Sequence, residues 1–127
     1  YLYKENKLRQ KIAKKYDNSF NKIMLISIPQ HSKNSNHIYH QYTIRVKSGL
    51  RDSLKSFLNN KGIPTMIYYP SPINFHKPFK KNVKKIGNLS ESIKASKEVL
   101  SLPIYPYLKK YEVASIIHSV ESFFNER

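Results

Sequence analysis

The sequence predicts an α+β domain in which helices cover a short, mainly antiparallel sheet. Four segments show helix patterns, whereas strand-like alternation occurs only in short, scattered stretches. The two kinds of segment do not alternate in the rhythm of βαβ units, so a doubly wound parallel sheet is not expected. At 127 residues, the chain has the length of a single domain, 1–127, with one hydrophobic core.

The first half of the chain is predicted to contain two helices and one clear strand. Apolar residues at steps of three and four predict the helices, and the alternation of Tyr42, Ile44 and Val46 predicts the strand. Ser48 is expected to cap the second helix, and Gly62 to end it in a left-handed conformation. The predicted elements are a helix over 3–23, a short strand or extended lead-in over 24–28, a strand over 40–46 and a helix from 48 to 62.

The second half is predicted to contain a strand, two helices and a short extended run. Pro70 and Pro72 end the strand, because proline lacks the amide proton that a sheet needs. Asn88 and Glu91 have the spacing of a capping box, which predicts the start of a helix. The predicted elements are a strand over 65–69, a helix from 88 toward 100, an extended run over 99–104 and a final helix over 109–124.

The chain is strongly basic, with 23 Lys and Arg against 8 Asp and Glu, a net charge of +15. Only four of the cations are Arg, the residue that recognises bases and phosphates by a bidentate fork. The lysines are spread over every predicted helix, so we interpret most of them as a solvated surface and do not expect nucleic acid as a partner. The alternative is a stand-alone basic module that binds nucleic acid or an anionic polysaccharide through the Lys77–Lys85 run.

Several classes of protein and site are not expected. The absence of Cys excludes disulfides and thiolate chemistry and suits a cytoplasmic protein. The three glycines are too scattered to form a glycine-rich phosphate loop. His31, His37 and His40 lack the spacing of a metal site, so no metal is expected. No apolar run approaches the roughly 18 residues of a membrane span. Because Tyr1 opens inside a predicted helix, we expect the chain to be part of a longer parent.

Five motifs follow one another along most of the chain. Two of them are proline-framed aromatic segments, residues 62–74 and 100–106. In chain order, the motifs are Arg9, Ile12, Ala13 and Tyr16 in a pattern R-x-x-I-A-x-x-Y; His40 and Tyr42 in H-x-Y; Arg51, Asp52, Leu54, Leu58, Gly62 and Ile63 in R-D-x-L-x-x-x-L-x-x-x-G-I; Tyr68-Tyr69-Pro70 with Pro72; and Leu100 to Pro106 in L-S-L-P-I-Y-P.

In this order and spacing, the five motifs resemble the C-terminal third of sugar aminotransferases of the DegT/DnrJ type. The resemblance implies the small C-terminal domain of a fold-type-I transferase that depends on pyridoxal phosphate. Such enzymes pass an amino group from glutamate to a nucleotide-linked keto sugar, and they are homodimers. The family usually has His-Tyr-Pro where this chain has Tyr68-Tyr69-Pro70, and a later His where it has Asn74. This departure bears on which sugar is used.

The proline-framed loop is the predicted binding segment. Two prolines fix the loop at low entropic cost, and phenols offer a flat face and a hydroxyl to a sugar. The alternative is that Tyr68 and Tyr69 are half-buried strand residues. The predicted substrate-binding residues are Tyr68, Tyr69, Asn74, His76 and Lys77, with the last two near a diphosphate.

No catalytic residue is assigned to this chain. The resemblance implies that the lysine holding pyridoxal phosphate, and the groups that bind its ring and phosphate, belong to a large domain absent from this sequence. The segment alone is therefore expected to be inactive and to cover the active site of its parent. A second alternative is a dehydratase-like relative, in which histidine replaces that lysine.

Overall fold

The computed structural model describes residues 1–30, 32, 34–76 and 87–126, which form four helices and a three-stranded sheet. In chain order the elements are α1 (Leu2–Phe20), β1 (Ile26–Ser27), β2 (Tyr42–Val46), α2 (Arg51–Asn60), a 3-10 turn (Ile73–Phe75), α3 (Ser90–Glu98), β3 (Val99–Leu102) and α4 (Lys110–Asn125).

The sheet is antiparallel throughout, with β2 between β1 and β3. Side chains of β2 alternate between two faces, as the sequence predicts: Tyr42, Ile44 and Val46 are fully buried, whereas Thr43 and Arg45 on the other face are only partly covered. Buried side chains of α1, α2 and α4 pack with the apolar strand residues in a single core.

Two tyrosine hydroxyls are bonded within this core. Tyr42 donates to Asp17 Oδ1 at 2.7 Å, and Tyr16 donates to the carbonyl of Pro103 at 2.8 Å. Their rings lie 4.9 Å apart between centroids. A buried hydroxyl without a partner would destabilise the fold, so these bonds fix how α1 sits on the sheet.

Three sequence predictions about helix ends were wrong in detail. The first helix ends at Phe20, three residues before the predicted end. Ser48 has a positive φ of 59° and does not cap α2, whose N-cap position is Leu50. Asn88 forms no capping box with Glu91: its Oδ1 accepts from the Ser90 amide, two residues on. In both caps a local polar bond or turn competes with the capping geometry.

The predicted strand over 65–69 was also wrong. Only Met66 pairs, in an isolated bridge with Ser101, while Pro64 and Pro70 flank the segment and cannot donate to a ladder. Other predictions are confirmed: Gly62 ends α2 at a φ of +73°, β3 lies within the extended run 99–104, and the final helix is α4.

Burial raises the pKa of Tyr16 and Tyr42, and the bond to Asp17 raises that of Tyr42 further. Unfolded tyrosine titrates near about pH 10. Above that pH the unfolded chain loses these protons while the folded chain keeps them, so stability falls as pH rises.

We therefore expect the unfolding free energy to fall between about pH 9 and about pH 11, each tyrosine contributing up to about 1.4 kcal/mol per pH unit above 10. Tyr42→Phe should lessen this fall, as measured by urea denaturation at both pH values. Tyr111→Phe is the control, because Tyr111 is 73% exposed. An equal fall in the unchanged chain and Tyr42→Phe would contradict the assignment.

Candidate functional site

The proline-framed segment forms an exposed loop at one edge of the sheet, residues 67–76, which we call the tyrosine loop. Met66, directly before it, exchanges two backbone hydrogen bonds with Ser101 of β3: Ser101 N donates to Met66 O at 2.8 Å, and Met66 N donates to Ser101 O at 3.1 Å. Ile67 packs against the core. The bridge and this contact hold the start of the loop.

Both tyrosines of the loop reach solvent. Tyr68 is 37% exposed and Tyr69 70%, and their rings meet edge to face with centroids 5.7 Å apart. The peptide bond between them is cis. The alternative of two half-buried strand residues does not describe them, because the segment is not a strand and Tyr69 is mostly exposed.

The second part of the loop turns back on itself. Ser71 Oγ lies 3.1 Å from His76 Nε2, and the 3-10 turn between them is closed by the Phe75 and His76 amides. Asn74 is partly buried in this turn, and His76 is exposed. The structure thus brings four of the five predicted site residues into one loop; the fifth, Lys77, lies outside the described residues.

Apolar side chains accompany the tyrosines on this surface. Ile73 is 66% exposed and Phe75 is 52% exposed. Ile73, Phe75 and Tyr69 therefore give the loop exposed apolar and aromatic surface, and the same loop carries hydroxyl, amide and imidazole groups. Such a mixture suits a ligand that carries both ring faces and polar substituents.

A concave region lies on the polar face of the sheet, a cavity of about 460 Å³ lined by Ser27, Thr43, Arg45, Lys47, Lys94 and Glu98, among others. Arg45 Nε donates to Glu98 Oε2 at 2.8 Å, and its Nη1 lies 3.7 Å from Glu91. Two of the guanidinium nitrogens therefore face carboxylates of the domain itself, whereas Nη2 is buried without a hydrogen-bond partner among the described residues.

Sequence reasoning missed one buried cation. Arg51, the first residue of α2, is only 8% exposed, and its Nη1 donates to the carbonyls of Ser96 and Val99 at 3.1 and 3.3 Å. A signal was present: Arg51 precedes Leu54 and Leu58 at steps of three and four, which places it on the buried stripe of the helix.

The described residues contain no candidate metal site. No group of three or more His, Asp or Glu side chains within 1–30, 32, 34–76 and 87–126 could hold a metal ion. His37, one of the three histidines considered, accepts the Tyr39 amide at its Nδ1, and His31 is outside the described residues. Every described lysine is exposed except Lys55, which is partly so.

Within the described part of the chain, helices are too short or too polar to cross a bilayer.

Comparison with known proteins gives one family. The sequence model of the DegT/DnrJ/EryC1/StrS aminotransferase family matches residues 1–121. The chain is 39% identical over 100 residues to a "Pleiotropic regulatory protein" of Geobacillus stearothermophilus, covering 79% of the chain and 26% of that relative. It is 38% identical over 101 residues to UDP-2-acetamido-2-deoxy-3-oxo-D-glucuronate aminotransferase of Pseudomonas aeruginosa, covering 80% of the chain and 26% of that enzyme. The chain thus spans about a quarter of the length of each.

Solved structures also resemble this chain in fold. DesV of S. venezuelae, in complex with a ketimine intermediate, matches with a TM-score of 0.86 at 27% identity, over 94% of this chain and 32% of that one. NtdA of Bacillus subtilis, with bound cofactor PMP, matches with a TM-score of 0.82 at 25% identity, over 95% of this chain and 28% of that one.

These matches confirm two predictions, the family resemblance and the small α+β fold with its antiparallel sheet. The motifs that carry the resemblance include core residues, such as Ala13, Tyr16 and Tyr42, which are fully buried. Since the family model matches residues 1–121 of its 127 residues, this chain belongs to the DegT/DnrJ/EryC1/StrS aminotransferase family.

Proposed function

We propose that the chain is the C-terminal, substrate-covering domain of a sugar aminotransferase, which transfers an amino group from glutamate to a keto sugar linked to a nucleotide. Family membership supports the reaction class, and the Pseudomonas aeruginosa relative is named for the amination of a UDP-linked 3-oxo sugar. The observation that carries the role of this domain is the tyrosine loop, whose phenols are exposed beside an ordered core.

The tyrosine loop would contact the sugar and its diphosphate. The ring of Tyr69 offers a face for the sugar ring and a hydroxyl for its substituents, and Asn74 can both donate and accept. His76 and Lys77 follow in the chain and carry donors suited to phosphate oxygens. Tyr68, in edge contact with Tyr69, supports its ring.

Pyridoxal phosphate is the proposed cofactor of the parent protein, and the described residues of this chain do not fit it. A lysine that forms a Schiff base is shielded in a pocket, whereas the described lysines lie on the surface. We assign the cofactor to a large domain of the same parent chain, where it supplies the electron sink for amino transfer. The residues of this chain bind and orient the sugar.

The remaining partners are proposed on the same basis. The parent would be a homodimer and would act in the cytoplasm, and the segment alone would transfer no amino group. A dehydratase-like parent is the alternative within the family. In that case a histidine would occupy the position of the Schiff-base lysine, and the upstream sequence of the parent distinguishes the two.

The first test uses the whole parent enzyme with its cofactor. Glutamate should convert the cofactor to its amino form, and a nucleotide-linked keto sugar should convert it back, both followed by cofactor absorbance. Tyr69→Ala should slow the sugar half-reaction about tenfold at low sugar concentration, because a lost contact of about 1.4 kcal/mol changes affinity tenfold. The glutamate half-reaction should change less than about twofold.

Tyr111→Ala is the matched control, since Tyr111 is as exposed as Tyr69 but lies on α4. Both half-reactions should stay near those of the unchanged enzyme. A sugar half-reaction that Tyr69→Ala leaves unaltered would remove the tyrosine from the proposed site.

A stability measurement separates binding from packing. Tyr69→Ala should cost less than about 1 kcal/mol of unfolding free energy, because its side chain is mostly in solvent. Ile44→Ala, at a fully buried position, should cost about 2–5 kcal/mol. Both are measured by urea denaturation of the 127-residue chain. Equal losses would indicate that Tyr69 serves the core.

Salt-dependent gel retardation tests the alternative of a basic nucleic-acid module. Because the Arg45 guanidinium is paired with Glu98 and the described lysines are dispersed, we expect no retardation of DNA or RNA at about 150 mM salt. A steep loss of affinity with rising salt, starting from tight binding, would favour the basic module instead.

A further inference from the structure

One backbone bridge attaches the start of the tyrosine loop to the sheet. Among the described residues, its backbone pairing with the sheet consists of the two bonds between Met66 and Ser101. Tyr68 lies two residues beyond that bridge. The position of β3 therefore determines where the phenols stand.

β3 is itself held from two sides. Its residues pair with β2 in register from Val99 opposite Arg45 to Leu102 opposite Tyr42, and the hydroxyls of Ser101 and Thr43 lie 2.7 Å apart. These contacts fix the strand along its length. They do not involve the end of α3 at its junction with β3.

Arg51 fixes that junction. Its Nη1 bonds the carbonyl of Ser96, in the last turn of α3, and the carbonyl of Val99, the first residue of β3. The carbonyls of a helix end lack partners within the helix, and a cation there is favourable. Because the guanidinium is buried, its loss would leave these two acceptors without a partner inside the domain.

We infer that Arg51 is a positioning residue for the sugar site: by clamping the α3–β3 junction, it sets the Ser101–Met66 bridge and so the placement of Tyr68 and Tyr69. This inference rests on the proposed function of the tyrosine loop. Arg51 does not contact the ligand. Its effect reaches the phenols through β3.

Arg51→Met in the whole parent enzyme is the first test. The sugar half-reaction should slow about tenfold at low sugar concentration, with most of the change in KM, while the glutamate half-reaction stays within about twofold. Asp52→Asn is the matched control: Asp52 pairs with Arg51 Nε at 2.7 Å but is exposed, so both half-reactions should be nearly unchanged. Arg51→Lys, which can still bond one carbonyl, should recover part of the loss.

Met66→Pro is the second test and breaks the bridge itself; if Arg51→Met does not fold, Arg51→Lys replaces it in the first test, with a partial loss expected and no loss overturning the role of Arg51. Proline removes the N–H that bonds Ser101 O but touches no core side chain, since Met66 is 55% exposed. It should reproduce the selective loss of the sugar half-reaction. Met66→Ala keeps the N–H and should not.

Hydrogen exchange gives a readout that does not depend on catalysis. The Met66 and Ser101 amides should exchange about tenfold faster in Arg51→Met than in Asp52→Asn, because the bridge opens more often. Equal slowing of both half-reactions with unaltered exchange at the bridge would overturn the positioning role. If the unchanged parent transfers no amino group, the proposed function fails, while the exchange still decides whether Arg51 controls the bridge.

Discussion

The hydroxyl of Tyr42 bonded to Asp17 is the contact on which the arrangement of this domain depends. Tyr42 belongs to the central strand, and Asp17 belongs to α1, so the 2.7 Å bond joins the longest helix to the middle of the sheet. The ring of Tyr16 packs against the ring of Tyr42, and the Tyr16 hydroxyl donates to the carbonyl of Pro103, just after β3. Because buried phenols require partners, these two bonds stabilise the observed placement of α1 on the sheet.

The sheet separates two kinds of surface. On one face, apolar side chains of β2 and β3 complete the core. On the other face, the hydroxyls of Thr43 and Ser101 contact each other, and Arg45 Nε pairs with Glu98. The tyrosine loop leaves the sheet at the edge beyond β3, and its phenols are exposed there. A rigid layer thus presents an exposed aromatic loop, as binding loops on rigid scaffolds do.

Sequence patterns predicted the elements better than their ends. The stripes of α1, α2 and α4 and the alternation of β2 depend on many residues at once, so they predict the elements correctly. A cap depends on one or two dihedral angles. Ser48 was expected to cap α2 but takes a positive φ, and the turn of Asn88 onto Ser90 replaces its expected bond three residues on. The 65–69 segment has strand composition, but its flanking prolines leave one bridge in place of a ladder.

The sequence by itself determined the family, the α+β class, the core stripes and the loop that carries Tyr68, Tyr69, Asn74 and His76. These follow from local spacing and from motifs that lie within single segments. Only the tertiary structure decided that the phenols are exposed and that Arg51 reaches the end of α3, 45 residues away along the chain. A contact over that distance depends on how elements pack, because a buried charge takes whichever carbonyls the fold brings to it, and no periodicity in the sequence encodes that choice.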